Sequence, residues 1–251
     1  MTRDIFHDAL ILFAKEEVRD NLSVIMLTQD DGVKRATLFG GRKSRLRALV
    51  SPWHTGKIWL YEQNPGNAKI TDFDAQKYRH SFRENLGKAG AASVASELVI
   101  KTKGAGGSKK CWILANGFLD GLDICGDDDI LPGLMRFLWR YLDLLGVQPA
   151  LDFCACCGEP LADSAVIAFD SKENGFMCAD CARYSTGSPA GADGIELMDE
   201  TADYLRAVSA LESRESRKLP LSAEAAACLK TALFYLICEA AGERLKTLDF
   251  C

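Results

Sequence analysis

The chain of 251 residues carries 48% apolar residues, enough for the cores of one large domain or of two to three small ones. Its first residues, MTRDIFHDAL, lack the basic end and the long apolar segment of a signal peptide. No stretch of ten residues lacks charged side chains, which excludes the run of about 20 apolar residues that a membrane-spanning helix needs. With ten cysteines, we therefore expect a globular protein of a reducing compartment, neither a membrane protein nor a disulfide scaffold.

Charge is distributed unevenly along the chain. The whole sequence holds 30 Lys and Arg against 35 Asp and Glu, a net charge of −5. Residues 1–80 hold 13 against 10, a net charge of +3, which leaves 17 against 25, or −8, for the remainder. The acidic total thus conceals a basic N-terminal part, so charge alone does not exclude a nucleic-acid partner.

The first eighty residues read as short β-rich runs separated by turn signals. They predict five strands, at 9–14, 21–27, 33–39, 57–62 and 68–73, with a hairpin turn at 29–32. Ser44 begins a run that predicts one or two helical turns over 44–50, with Ser44 as the N-cap. Five strands with a short helix after the third are typical of a small closed barrel of OB type.

The apolar spacing lengthens from two residues to about four from about Asp74 onward, which indicates helix. A glycine-rich stretch at 103–108 predicts a flexible break. It is not a phosphate-binding loop, because it lacks the G-x-x-x-x-G-K-[ST] spacing of such loops. Further helices are predicted at 111–124, 130–145 and 222–245. A cysteine-bearing insert at 153–183 and a loop at 184–192 separate the last two.

These elements predict an α+β protein in which an N-terminal OB-fold β-barrel is followed by a helical domain that carries a four-cysteine zinc-binding insert. We expect an OB-fold DNA-binding domain over 1–75. The helical domain is predicted to combine 76–150 with 195–251, and the zinc-binding insert with its loop to occupy 151–194.

Four cysteines form two C-x2-C pairs that are separated by twenty residues: Cys154, Cys157, Cys178 and Cys181. Two tight turns of this kind supply four thiolates in the tetrahedral arrangement that Zn²⁺ prefers. Four thiolates close the coordination shell and leave no position for a reactive water, so a structural metal is expected. Free thiols and a thiol–disulfide redox pair stay open as alternatives. Cys156 lies inside the first pair and is a candidate substitute ligand.

Six cations and no anion lie within fourteen residues: Lys34, Arg35, Arg42, Lys43, Arg45 and Arg47. Such a cluster suits a polyanion, whose phosphates release counterions on binding. The alternative is a solvated strand edge, where lysine and arginine commonly prevent pairing with other strands. Among the nearby aromatic residues, at most one or two are expected to stack on bases, and the others to be core: Phe39, Trp53, Trp59 and Tyr61.

The motifs of enzymes are sparse in this sequence. Three histidines in the whole chain leave no H-E-x-x-H metal site and no H-x-E half of a zinc deaminase motif. We therefore expect no catalytic residues and no enzymatic activity.

Several diagnostic segments follow one another along the chain: GGRKS at 40–44, FLWRYLDLLGVQP at 137–149 leading into CACCG at 154–158, GFMCADC at 175–181 and ERLKTL at 243–248. In this order they resemble the RecO family of bacterial DNA repair and recombination mediators, and the resemblance covers essentially the full length. Phe39 stands where the family's basic motif has a lysine, Asp20-Asn21 where a Gly-Glu turn is usual, and Thr247 where serine is common.

The resemblance implies a non-enzymatic protein that binds single- and double-stranded DNA and anneals complementary strands. With RecR it would help to load RecA onto single-stranded DNA coated by single-stranded-DNA-binding protein (SSB), whose tail the helical domain is expected to contact. The resemblance further implies zinc that supports the fold and a cytoplasmic, nucleoid-associated location in bacteria. From the residues alone, a zinc-stabilised protein-interaction module without direct DNA handling stays an alternative.

Overall fold

The computed structural model describes residues 4–17, 20–40, 44–64, 67–107, 109–161, 166–186 and 194–250. The chain forms two compact units, of which the first comprises Met1–Ile130 with Leu245–Cys251 and the second Leu131–Arg244. This division groups elements by their contacts. It does not test the predicted domain boundaries at 1–75, 76–150, 151–194 and 195–251, which stay predictions.

The first unit contains a closed five-stranded barrel, which confirms the predicted N-terminal barrel. The strand order is β1-β2-β3-β5-β4, with β4 pairing back onto β1, and β3 with β5 is the parallel pair. This is the arrangement of an OB-type barrel. The strands are β1 (Asp4–Glu16), β2 (Leu22–Thr28), β3 (Gly32–Leu38), β4 (Thr55–Asn64) and β5 (Asn67–Lys77).

Alternation along each strand fills the barrel. Side chains at every second position point inward and form one apolar core, in which Ile11, Val24, Met26, Ile58 and Leu60 are inaccessible to solvent. Irregular pairing bends β1 between Ile11 and Phe13 and β4 near Trp59, as closing a small barrel requires. The intervening positions face away from this core: Leu10 and Leu27 are buried there, whereas Arg35 and Lys69 are exposed.

The run at 44–50 forms one turn of 3-10 helix, Arg45–Arg47, with Ser44 in the N-cap position, which confirms the short helix after the third strand, although the Ser44 side chain makes no capping hydrogen bond. One prediction near the barrel is wrong. Helix does not begin at Asp74, because β5 continues to Lys77 with Phe73 and Ala75 buried on its inner side.

The remaining elements of the first unit are α1 (Ser81–Glu84), α2 (Leu86–Lys101), α3 (Lys103–Gly107), α4 (Lys109–Ile124) and the 3-10 helices Asp127–Asp129 and Lys246–Phe250. The buried Arg79 connects α4 to the barrel. Its guanidinium donates to the Asp120 carboxylate at 2.6 Å, to Asn116 at 3.1 Å and to the Thr55 hydroxyl at 2.9 Å.

The predicted flexible break at 103–108 is instead an ordered left-handed turn over its described residues. The φ angles of α3 are all positive, from 49° at Ala105 to 81° at Gly107. The turn packs against the β2–β3 hairpin, where a Cβ on Gly32 would lie only 2.9 Å from Gly107 Cα. Close backbone packing, which glycine permits, therefore fixes a segment that reads as a linker.

The second unit joins helices to a small antiparallel sheet. Its elements are α5 (Ile130–Leu145), which begins at the last residue of the first unit's main segment, β6 (Val166–Asp170), β7 (Gly175–Cys178), α6 (Ala179–Thr186), β8 (Glu196–Met198), α7 (Asp199–Ala210), α8 (Ser213–Ser216) and α9 (Ala223–Ala241). The sheet order is β7-β6-β8, and Phe169 of β6 packs edge-on against Phe176 and Tyr235. Within the described parts of the chain, no helix combines the length and the hydropathy needed to cross a membrane.

Candidate metal centre and candidate nucleic-acid surface

The first cysteine pair lies in a tight loop between Phe153 and Pro160, which form an isolated antiparallel bridge. The Cys154 N–H donates to the Glu159 carbonyl at 2.8 Å, and the Gly158 N–H donates to the Cys154 carbonyl at 2.9 Å. Gly158 has a φ of 77°, a left-handed conformation that favours glycine. The loop thus turns back immediately after Cys157.

The second pair lies where β7 gives way to α6. Cys178 is the last residue of β7, and Cys181 lies in the first turn of α6. The two loops meet through backbone contact, because the Ala155 N–H donates to the Phe176 carbonyl at 2.8 Å. A Cβ on Gly175 would lie 2.7 Å from the Ala155 Cβ, so this close approach depends on glycine.

The four cysteines of the two C-x2-C pairs converge on one point. Their Sγ atoms all lie within 4.8 Å of one another, and the Cys157 and Cys178 sulfurs are 4.0 Å apart. Cys154 is buried, Cys178 and Cys181 are half-buried, and Cys157 is exposed. This group can hold a metal ion. Cys156 is exposed and lies outside the close group.

Electrostatics within the cluster favours a bound cation. Burial raises the pKa of the Cys154 thiol, but backbone N–H donors of Cys157, Cys178 and Cys156 outweigh burial and lower the pKa to about 6. The neighbouring side chains of Cys157 and Cys178 raise the pKa of Cys181. Four thiols this close therefore do not all ionise readily unless a cation compensates the negative charge.

The six predicted DNA-contacting cations are not equivalent. Lys34 occupies the inward register of β3 at one end of the barrel, where its ammonium pairs with Asp31 at 2.6 Å and with Glu62 at 3.6 Å. Arg47 pairs with Glu16 and also donates to the Asp20 carbonyl at 2.9 Å. Both charges are thus partly compensated within the protein.

Arg35 and Arg45 are exposed, Arg35 on the outward side of β3 and Arg45 in the following 3-10 turn. Arg42 and Lys43 lie outside the described residues. No contact between DNA and any of the six is tested by the geometry, so their binding role stays a prediction.

The four candidate aromatics divide between structural and surface positions. Trp53 donates its indole N–H to Ser96 at 3.1 Å and packs edge-on against Phe82, so it joins the barrel to the helices. Trp59 and Tyr61 are half-buried on the face opposite the buried Ile58 and Leu60.

Phe39 is 47% exposed, and the Lys69 ammonium lies 5.6 Å from its ring centroid. Lys69 was not among the predicted site residues. Alternation along β5 provides the signal that identifies it as an outward cation, because the next residue, Ile70, is buried.

Similarity to known proteins extends over most of the chain. A family model described as "Recombination protein O C terminal" matches residues 83–249. Among similar proteins, the DNA repair protein RecO of Syntrophus aciditrophicus is 30% identical over 236 residues, which cover 91% of this chain and 87% of the relative. The RecO protein of Myxococcus xanthus is 24% identical over 97% of this chain and 95% of its own length. That of Shouchella clausii is 29% identical over 69% of this chain and 67% of the relative. The chain therefore belongs to the RecO family of DNA repair proteins.

Proposed function

We propose that this protein is a recombination mediator that binds single- and double-stranded DNA through its barrel and anneals complementary strands. In this proposal it acts with RecR to help load RecA onto single-stranded DNA coated by SSB, and it catalyses no covalent reaction. A protein with this role works in the bacterial cytoplasm in association with the nucleoid.

The observation that carries the proposal is a closed OB-type barrel whose exposed arginines adjoin a basic segment. Arg35 and Arg45 flank Arg42 and Lys43 in the sequence, and no acidic residue lies between them. Cations on one surface screen the phosphates of two strands, which lowers the repulsion that opposes their meeting. Annealing then follows from base pairing and needs no catalytic group.

We further propose that Cys154, Cys157, Cys178 and Cys181 hold Zn²⁺ as a structural ion. Thiolates are soft ligands that suit zinc, and four of them saturate its tetrahedral shell. The ion would join the loop at 153–160 to the β7–α6 junction. In this position it stabilises the second unit and takes no part in binding DNA.

The decisive experiment is fluorescence-monitored annealing of two complementary oligonucleotides at several salt concentrations. Wild-type protein is compared with Arg35→Glu/Arg45→Glu and with Arg42→Glu/Lys43→Glu. We expect wild type to accelerate annealing most strongly at low salt and both variants to lose most of this acceleration.

A matched control reverses two exposed lysines of the second unit, Lys172→Glu/Lys218→Glu, which changes the net charge equally. This control should retain the acceleration. If folded, metal-loaded wild type accelerates nothing at any salt, the mediator proposal fails, and a protein-interaction module becomes the better hypothesis. If the control loses as much as the barrel variants, net charge and not the barrel surface is responsible.

A further inference from the structure

The outer face of the barrel carries a row of polar side chains that crosses four strands. Lys15 of β1 is the cross-strand partner of Ser23 of β2. Ser23 is in turn the partner of Thr37 of β3, and Thr37 that of Lys69 of β5. The residues that follow Ser23, Thr37 and Lys69 along their strands are buried in the core, so these three side chains point outward.

Exposed aromatic rings accompany this row. Phe39 follows β3 two residues beyond Thr37 and is 47% exposed, and Phe13 precedes Lys15 by two residues and is 46% exposed. On the other side of Lys69, its cross-strand partner is the half-buried Tyr61 of β4. The outer face thus brings aromatic rings, hydroxyls and cations together along one row.

Negative charge along β5 restricts where a phosphate could bind on the outer face. Beyond Lys69, the exposed side chains of this strand include Asp72 and Asp74, which would repel a phosphate. Lys77, at the far end of β5, is paired with Asp120, so the end of β5 beside Phe39 is the one that offers a cation to a ligand. A negatively charged chain with stackable groups fits this end of the outer face better than the other.

We propose that Phe39 and Lys69 form a contact site for one unpaired nucleotide, whose base stacks on the Phe39 ring while the Lys69 ammonium binds the adjacent phosphate. This inference rests on the proposed DNA-binding function and adds to it residues that bind single strands. The Lys69 ammonium lies over the Phe39 ring at 5.6 Å, within the range of a cation–π contact. The same pairing of an aromatic ring with a cation is what sequence-tolerant binding of single strands uses.

Selectivity for single strands follows from this geometry. A base within a duplex is stacked between its neighbours and cannot offer its face to Phe39. A phosphate contact, by contrast, is available on both single strands and duplexes. Loss of the ring should thus affect single strands alone, whereas loss of the Lys69 charge should weaken both.

The test measures binding of the full-length protein to a fluorescent oligonucleotide that contains 2-aminopurine, and to its duplex, at several salt concentrations. Phe39→Leu should weaken single-strand binding about fivefold or more, abolish the stacking-dependent quenching of 2-aminopurine, and change duplex affinity less than about twofold. Lys69→Gln should make the slope of log K against log salt shallower by about 0.7 on single strands.

Matched controls come from the same barrel. Phe6→Leu removes another exposed ring, on β1, and Lys57→Gln another exposed cation, on β4. Neither residue belongs to the row, so both controls should behave as wild type. Thermal unfolding confirms that all variants are folded.

Three results overturn the inference. If Phe39→Leu is indistinguishable from Phe6→Leu, or weakens single strands and duplexes alike, Phe39 does not stack on an unpaired base. If Lys69→Gln leaves the salt slope unchanged, Lys69 does not bind phosphate. Wild type that binds neither DNA form refutes the proposed function itself, whereas wild type that binds normally while the variants have no effect refutes only this site.

Discussion

The barrel and the cysteine-bearing region become ordered by different means. The barrel buries a continuous set of apolar side chains, each worth about 1.5–3 kcal/mol when fully removed from water. The loop at 153–160 buries Cys154, whereas Phe153 is 60% exposed and the residues from Ala155 to Pro160 are exposed. A segment with so little core needs a cross-link, and the converging thiols can provide one through a metal. The barrel thus has an apolar core that holds its strands together, whereas the loop at 153–160 has almost none.

The largest expected effect separates these two regions directly. Cys178→Ser removes one of the four proposed zinc ligands, and structural zinc contributes about 10–16 kcal/mol to the folding of small zinc-dependent peptides. We expect the purified variant to lose its metal and the amides of 153–160 and 175–186 to exchange much faster. Barrel amides should keep their protection. Metal analysis and hydrogen exchange measure both.

Cys156→Ser is the matched control for this change. It removes a thiol from the same loop, but from outside the close group of four. It should retain the metal and the protection of 153–160. Loss of metal in Cys156→Ser, or full metal content in Cys178→Ser, would contradict the assignment of the ligands.

The barrel should lose stability when a buried charge is removed and should not depend on a metal. The Arg79 side chain is only 2% exposed, and Arg79→Met removes its donors from Asp120, Asn116 and Thr55. Asp120 keeps its ion pair with Lys77, and Asn116 keeps the hydrogen bond from the Thr55 hydroxyl. Breaking a buried ion pair costs about 3–5 kcal/mol, and the partial exposure of Asp120 points to the lower end. Urea unfolding should show the barrel destabilised while metal content stays unchanged. An unfolding free energy within about 0.5 kcal/mol of wild type would show that Arg79 is not a link between barrel and helix.

Local patterns predict most of the fold, and the failures occur where distant contacts decide. Alternation predicts the five strands of the barrel, and the four-residue spacing predicts the helix at 130–145 with its observed bounds. The left-handed turn of α3 was missed because its order comes from packing on Gly32, 75 residues away from Gly107. The end of β5 at Lys77 was missed because the four-residue apolar spacing of Tyr78 and Phe82 begins directly after it, and this spacing does not show where the strand stops.

The candidate metal site was more predictable than the candidate DNA surface. The C-x2-C spacing alone brings the two sulfurs of each pair close together, so the only long-range contact left to predict is the one between the two pairs. Cations carry no such constraint. Lys34 has a local partner in Asp31, three residues away. Its second partner, Glu62, and the Arg47 partner, Glu16, lie 28 and 31 residues away along the chain, where no local pattern reveals them.

A smaller effect is the loss of stability of the first unit at low pH, which we expect when the Asp120 carboxylate becomes protonated. Burial raises the pKa of the Asp120 carboxyl, but Lys77 and Arg79 outweigh burial and hold it below its usual value of 3.8. A carboxyl with a lowered folded-state pKa stabilises the fold above its unfolded-state pKa, and this contribution is lost as the pH falls through the folded-state value. Stability should thus fall from about pH 5 to about pH 2 less steeply in Asp120→Asn than in wild type. Asp74→Asn, an equal charge change at an exposed position, should follow wild type in urea unfolding at each pH.

The smallest effect distinguishes cations within the barrel itself. Lys34 is paired with Asp31 and Glu62, whereas Arg35 faces outward and is exposed, although the two are adjacent. A cation that binds phosphate contributes about −0.7 to the slope of log K against log salt on single strands. Arg35→Gln should therefore make the slope shallower by about 0.7, and Lys34→Gln by much less, because the Lys34 charge is already compensated. If four of the six cations bind phosphate, the wild-type slope is about −3, and if all six do, it is about −4. Equal effects of the two substitutions would show that the ion pairs of Lys34 open when DNA binds, and that the inner end of the barrel takes part in binding.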